Sequence, residues 1–292
     1  MTMQFSRIGL MGKPNNPEVK STFHKLIRSL RDFKLNLQIE EACAPLASHL
    51  KVQTASAEDL AKESDLIIVV GGDGSLLNAA RMVVNNNVPV IGVNRGRKGF
   101  LTDITPQALT EELIPILNGE YFEEERFLLQ ANIYRDNHKV MEYIALNDVV
   151  LYSGHVARMI EFEVNIDKSF VYRQRSDGLI ISTPTGSTAY ALSGGGPIIH
   201  PTLNAMVLVP MHPHTLSSRP IVVDANSKLF IHLTKENELN PRLSWDGQVH
   251  ADLNPNDAIV LEQYDKKLRL LHPKSYDFYE TLRGKLGWHI YQ

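Results

Sequence analysis

Residues 66–80 read LIIVVGGDGSLLNAA. Five apolar residues run straight into Gly71 and Gly72, and the next residue is an acid, Asp73, with Gly74 behind it. Glycines let a backbone come close to a phosphate, and a helix that follows offers unpaired N–H groups and the positive end of its dipole to an anion. Asp73 also has a simpler reading, as the cap of a helix predicted from about Ser75 to Val84. No Gly-Lys-Ser/Thr follows, so the turn is not a Walker A loop, and the G-x-G-x-x-G dinucleotide fingerprint is absent.

A second stretch, RSDGLIISTPTGSTAYALSGGGP at 175–197, places hydroxyls at Ser182, Thr183, Thr185, Ser187, Thr188 and Ser193 around one aromatic, Tyr190. Such a run is an ordinary Gly/Ser/Thr loop or, read from its density of small donors, a surface for a sugar–phosphate and a base on which Tyr190 stacks. NRGRKGFLTD (94–103) offers Arg95, Arg97 and Lys98 as either an anion-facing loop or a solvated basic turn. ALNDVVL (145–151) sets Asn147 and Asp148 inside an apolar strand, where a buried amide and acid need partners and suit ribose hydroxyls. SWDGQ (244–248) has the Asp-Gly pair of a hairpin turn. The eleven histidines, HPH at 212–214 included, show no metal-ligand spacing.

These residues need a scaffold. A chain of 292 residues with 43% hydrophobic and 22% charged content suits a soluble protein of two domains. A formal charge of −3 gives no reason to expect nucleic acid or a membrane as partner, so an anionic ligand must be held by local groups. The single cysteine, Cys43, excludes an internal disulfide and a four-cysteine zinc site. With no signal-peptide core and no apolar run near the ~18 residues of a membrane span, a cytoplasmic location is expected.

The first 120 or so residues alternate short apolar runs with amphipathic segments, as βαβ units around a parallel sheet require. RIGLMG (7–12), LNLQIE (35–40), LIIVV and VPVIGVN (88–94) read as strands. Residues 18–33 and 57–64 read as helices, the first burying Phe23, Leu26, Ile27 and Leu30. From about Glu123 the texture changes to closely spaced β segments: FLLQANIYR, KVMEYIALNDVVLY, MIEFEVNID, KSFVYRQ, GLIISTPT, AMVLVPM, PIVVDA, KLFIHLT and AIVLEQY. The predicted fold is an α/β domain with a Rossmann-like parallel sheet over 1–122, then a mostly antiparallel β-rich domain over 123–272. SYDFYETLRGKLGW (275–288) reads as helical, and the segment 273–292 is expected to pack back on the first domain.

Taken together and in order, GGDG, NRGRKGFLTD, the Asn-Asp pair, the TPTGSTAY block and LVPMHPHTLSSRP resemble the NAD kinase family of bacterial type across nearly the whole chain. Phosphofructokinases and diacylglycerol or sphingosine kinases share the GGDG turn, whereas the TPTGSTAY block is far more specific. The resemblance implies phosphorylation of the 2′-hydroxyl on the adenosine ribose of NAD to give NADP, with ATP as co-substrate and a divalent metal, Mg²⁺, as cofactor. It implies Asp73 as proton acceptor with Gly74 beside the substrate, and Gly71, Gly72, Gly74 and Arg95 at the phosphates of ATP. Asn147 and Asp148 fall on the ribose hydroxyls, Asp177 near the nicotinamide half, and Thr188, Ala189, Tyr190 and Ser193 around the dinucleotide. Phe100 flanks the adenine, with Arg158, Arg175 and Gln248 as further contacts. The family pair is commonly Asn-Glu, and the acid here is one methylene shorter. A homodimer or homotetramer is the assembly the resemblance implies. Two other readings compete: a GGDG kinase acting on a sugar phosphate or lipid, and a dinucleotide sensor without catalysis. The first lacks its Thr-Ile-Asp-Asn-Asp signature here, and the intact Asp73 weighs against the second.

Overall fold

The computed structural model describes residues 3–288 apart from 15, 96–98, 155–157 and 238–239. By contact the chain divides into two units, Met1–Glu125 with Leu268–Gln292, and Arg126–Lys267.

The first unit is a parallel sheet dressed with helices. In chain order its elements are β1 (Arg7–Gly12), α1 (Pro17–Arg31), β2 (Asn36–Glu40), a 3₁₀ segment (Glu41–Ala47), β3 (Gln53–Ala55), α2 (Ala57–Glu63), β4 (Leu66–Gly71), α3 (Asp73–Val83), β5 (Val90–Asn94) and α4 (Leu109–Leu117). The strand order β3-β2-β1-β4-β5 is parallel at every pairing. All six residues of β4 are buried, which is why that strand reads as an unbroken apolar run and not as an alternation. α1 starts where its sequence says it must: Pro17 opens the helix and the Asn16 side chain accepts the Glu18 N–H at 2.9 Å. Its apolar stripe, Val19, Phe23, Leu26, Ile27 and Leu30, closes the core over Leu10, Ile68 and Ile91. α4, unmarked in the sequence reading, buries Leu109, Leu113, Ile116 and Leu117 in the same core.

The second unit is antiparallel. Its elements are β6 (Tyr121–Arg135), which enters from the first unit, β7 (His138–Ala145), β8 (Asp148–Tyr152), β9 (Ile160–Ile166), β10 (Ser169–Ser176), β11 (Gly178–Ser182), α5 (Tyr190–Ser193), β12 (Ala205–Met211), β13 (Ile221–Asp224), β14 (Leu229–Leu233), β15 (Arg242–Trp245), β16 (Val249–Asp252) and β17 (Ala258–Pro273). The closing helix, α6 (Phe278–Leu286), belongs to the first unit. One sheet runs β13-β12-β11-β8-β15-β16. Its inner residues Val149, Leu151, Leu179, Ile181, Leu208 and Trp245 pack against Phe162, Val164, Ile231 and Ile259 of β9, β14 and β17.

Several expected boundaries move. KVMEYIALNDVVLY is two strands, not one, with Leu146 and Asn147 at the break and Asp148 opening β8. AIVLEQY is the start of a 16-residue strand. β15 and β16 were not read as strands because each is only four residues long. The helix after GGDG begins at Asp73 and not near Ser75, with Gly72 as its cap residue.

Candidate functional site

The GGDG turn joins β4 to α3 within the first unit. Gly71 has a packing reason: a Cβ there would lie 2.3 Å from Ser75 Oγ. Gly72 has none. Its φ is −104°, and no heavy atom lies within 4 Å of where a Cβ would stand, so the chain's own packing leaves that space open. The Gly71 carbonyl accepts the Arg95 N–H at 3.0 Å, which brings the exit of β5 beside the turn. There the Arg95 guanidinium lies 3.8 Å from Glu18, and its buried Nε has no acceptor among the described residues. Arg97 and Lys98 lie outside the described residues.

The carboxylate of Asp73 does not cap its helix, since no side-chain hydrogen bond closes the first turn of α3. It crosses instead to the segment after β5. Oδ2 accepts the Phe100 N–H at 2.8 Å, while Oδ1 accepts the Leu101 N–H at 3.1 Å and the Thr102 hydroxyl at 3.3 Å. Gly99 is the seat for this acid, because a Cβ there would fall 1.9 Å from Asp73 Oδ1. Asn94, buried at the end of β5, donates to the Thr102 hydroxyl oxygen at 2.9 Å and steadies the same segment. A carboxylate has about four lone-pair sites, so three donors leave room for roughly one more, on Oδ2.

In the second unit a pocket of about 380 Å³ opens along β8, lined by Asn147, Asp148, Val150, Tyr152, Ala189, Tyr190, Met211, Ser244, Asp246, Gly247 and His250. The hydroxyls of the TPTGSTAY block, read from sequence as outward donors, mostly turn inward. Thr183 Oγ1 donates to the Leu146 carbonyl at 2.6 Å, and Ser182 Oγ reaches the Asn147 carbonyl at 3.2 Å. Ser187 Oγ donates to the Pro184 carbonyl at 2.6 Å, and Thr188 Oγ1 to that of Thr185 at 3.2 Å. Ser182, Thr183, Thr185 and Ser187 are all buried. Their work is to fix the backbone at 146–147 and to set α5, so that Tyr190 stands at the pocket with about half its surface, 47%, exposed.

Asp246 is the functional residue the sequence reading passed over. The Asp-Gly pair does make a hairpin turn between β15 and β16, with φ of 52° at Asp246 and 64° at Gly247 and the Gln248 N–H returning to the Trp245 carbonyl at 2.9 Å. Its carboxylate then accepts three successive backbone N–H groups, from Leu146 at 3.2 Å, Asn147 at 2.7 Å and Asp148 at 3.3 Å. The Asp-Gly pair itself was the only clue the sequence offered. Asp148 sits 5% exposed in the same corner, and burial, helped by the Asp246 charge, pushes its carboxyl up to about 7. Asn147 Oδ1 and Ser244 Oγ are buried with no hydrogen-bond partner among the described residues. The pocket wall thus presents a buried acceptor and a hydroxyl without partners among the described residues, beside a buried acid.

Of the sequence-derived residues, Asn147, Asp148, Ala189 and Tyr190 meet at this pocket. Gly71, Gly72, Asp73, Gly74, Arg95 and Phe100 form the other cluster, in the first unit. Asp177 is half-buried at the β10–β11 junction, its N–H held by the Met211 carbonyl at 3.0 Å. Arg158, Arg175, Ser193 and Gln248 are exposed and do not line the pocket. Among the described residues no group of three or more His, Cys, Asp or Glu side chains is placed to hold a metal ion. Among them, too, no helix is long and apolar enough to cross a membrane.

Residues 8–121 match the family described as the ATP-NAD kinase N-terminal domain, and residues 146–272 match the ATP-NAD kinase C-terminal domain. The chain is 49% identical over 284 residues to the NAD kinase of Teredinibacter turnerae, covering 97% of each chain. It is 50% identical over 285 residues to the NAD kinase of Saccharophagus degradans, covering 98% of this chain and 97% of the relative. Among solved structures, the fold matches yeast NADH kinase complexed with NADH at a TM-score of 0.90 and 23% identity, over 98% of this chain and 89% of that one. An NAD kinase from Archaeoglobus fulgidus in complex with ATP matches at a TM-score of 0.77 and 25% identity, over 97% of this chain and 100% of that one.

The buried acid at 148 has a consequence for stability. Its carboxyl titrates near 3.8 in the unfolded chain and at about 7 when folded, so the folded state holds the proton more tightly. That contribution to stability is whole below about pH 4 and is lost as pH rises through about 7. In Asp148→Asn, which cannot ionise, the melting temperature relative to the parent chain should therefore climb between about pH 4 and 7 and level off above. Differential scanning calorimetry across that range checks this, and a difference independent of pH would contradict it.

Proposed function

The chain belongs to the NAD kinase family, and from that membership we propose that it transfers the γ-phosphoryl group of ATP to the 2′-hydroxyl of the adenosine ribose of NAD, giving NADP, with Asp73 as general base. The observation that carries the role of Asp73 is its seat. Two backbone N–H groups and one hydroxyl fix the carboxylate, an acceptor position on Oδ2 is left over, and the preceding residue, Gly72, has open space where a Cβ would stand.

In this scheme the ribose 2′-oxygen gives its proton to Asp73 Oδ2 as it bonds to the γ-phosphorus, and the bond from that phosphorus to the β,γ-bridging oxygen breaks to release ADP. A ribose hydroxyl is a poor nucleophile at neutral pH, and a positioned carboxylate contributes on the order of 10²–10⁴ in rate. The amides at the N-terminus of α3 and the Arg95 guanidinium, whose buried Nε lacks an acceptor among the described residues, meet the triphosphate charge. Magnesium bound with the nucleotide would supply neutralisation of phosphate charge. Asn147 and Asp148 hold the ribose hydroxyls, with Ser244 as a further hydroxyl at hand in that pocket. Tyr190 lies against a base, with Ala189 beside it, and Thr188 and Ser193 complete that turn. Gly74 and Phe100 flank the adenosine, Asp177 serves the nicotinamide half, and Arg158, Arg175 and Gln248 make outer contacts. We assign the working form as a cytoplasmic homodimer or homotetramer.

The direct test is incubation with NAD, ATP and Mg²⁺, followed by an NADP-specific dehydrogenase assay and phosphorus NMR of the product. A 2′-phosphomonoester is the expected product; phosphate on another hydroxyl, or on a sugar or lipid acceptor in place of NAD, would overturn the assignment. A second outcome follows from the half-exposed ring at the pocket. Tyr190→Ala should raise the KM for NAD by roughly tenfold while moving that for ATP far less, since base–aromatic stacking is worth about 1–3 kcal/mol. Steady-state kinetics with each substrate varied in turn decides it, and equal shifts would remove Tyr190 from the dinucleotide.

A further inference from the structure

The segment that grips Asp73 is itself gripped from behind. Directly after Phe100, Leu101 and Thr102 comes Asp103, whose carboxylate is buried and hydrogen-bonded to His272 Nδ1 near the end of β17. Its other oxygen, Oδ1, is buried with no partner among the described residues, so the imidazole is the donor on which this acid depends. The far side of the ring faces Glu124, with Nε2 at 3.4 Å from Oε2. Tyr276 stacks on the ring with centroids 4.0 Å apart and planes 16° from parallel, and His272 is left only 1% exposed. An acid–imidazole–acid chain this deep is costly to bury, and nothing in the phosphoryl transfer above uses it.

Its placement gives it a purpose. Asp103 directly follows the stretch whose amides and hydroxyl set the direction of the Asp73 carboxylate, and the next residue, Ile104, is tied to β5 through its carbonyl to the Asn94 N–H at 2.8 Å. The same stretch is held a second time from the C-terminal side, with the Lys285 ammonium of α6 5.9 Å from the centre of the Phe100 ring.

We propose that His272 is a positioning residue: through Asp103 it fixes residues 99–103 and thereby the orientation of Asp73 Oδ2 toward its substrate. This rests on the reading of Asp73 as proton acceptor. What matters on this account is a donor at the place of Nδ1. An asparagine amide reaches that place, whereas a glutamine amide falls where Nε2 was.

The test uses the full chain, with kcat and KM measured for NAD and for ATP. His272→Asn should stay within about threefold of the parent kcat. His272→Gln and Asp103→Ala should each lose about tenfold or more in kcat with KM nearly unchanged, and the double variant should fall no further. His272→Gln takes the donor from the buried Asp103 carboxylate, so if that variant does not melt cooperatively, Asp103→Ala decides, because it leaves the imidazole its Glu124 partner. In an Asp73→Asn background, Asp103→Ala should cost less than about twofold, because the group it orients is already gone. Wild-type kcat in Asp103→Ala, a loss expressed in KM, or a full further loss in the Asp73→Asn background overturns the proposal. If Asp73→Asn itself is fully active, the base assignment falls and takes this proposal with it; if only Asp103→Ala is silent, the base assignment stands alone.

Discussion

Everything at the GGDG turn depends on one acid holding two loops. Asp73 stands at the first position of α3, yet its carboxylate serves residues 100–102, a separation of 27 to 29 residues in sequence. A carboxylate is the group for this task because it accepts several hydrogen bonds and competes with none of the donors. The glycines around it follow from the same constraint. Gly99 makes room for the acid and Gly71 for Ser75, and Gly92 lets the 101–102 backbone lie on β5, where a Cβ would stand 2.7 Å from the Leu101 carbonyl oxygen. Gly72 is excused from internal packing, which suits a place where a phosphate comes close to the backbone.

The second unit solves a related problem by the same means. Asp246 collects the N–H groups of residues 146–148 as Asp73 collects those of 100 and 101. The buried hydroxyls of Ser182 and Thr183 take hold of the carbonyls on the same short stretch. With the backbone satisfied from both sides, the side chains of Asn147 and Asp148 are released to face the pocket. Orphaned polar groups survive in a folded protein when a ligand completes them, and an acceptor, a hydroxyl and an acid in one corner suit a polyhydroxyl ring such as ribose. The missing methylene at position 148 is compatible with this, since the acid enters directly from the first residue of β8.

Much of the scaffold was legible because its signals are local. β1 runs over the residues its apolar run marks, and α1 differs by a residue or two at each end, where Asn16 and Pro17 set the start. The motifs too were visible, as strings of glycine, acid and hydroxyl. What could not be read was who bonds to whom. Seen in sequence, Thr183 and Ser187 are as good a pair of outward donors as any, but the pairing of β11 with β8 brings Thr183 onto the Leu146 carbonyl, and Ser187 closes its own turn on the Pro184 carbonyl. Asp246 looked like half of a hairpin signal because its three donors lie about 100 residues away. Asp103 closed the NRGRKGFLTD motif without any sign of its role, and His272 carried no motif, since a pairing across 169 residues leaves no spacing to recognise. Short strands such as β15 and β16 failed for a simpler reason, being too brief for an alternation to show.

The most direct measurement of the account is the single-turnover rate of phosphoryl transfer to NAD in Asp73→Asn, with both substrates saturating. The amide oxygen of asparagine can still accept the Phe100 N–H, but its NH₂ faces a donor, so hydrogen exchange at Phe100 and Leu101 should be followed on the same sample. The account predicts that the Phe100 amide stays protected while the transfer rate falls by at least ~10²-fold. A variant that transfers phosphate at more than about a tenth of the parent rate would contradict it and leave Asp73 as a structural tie alone.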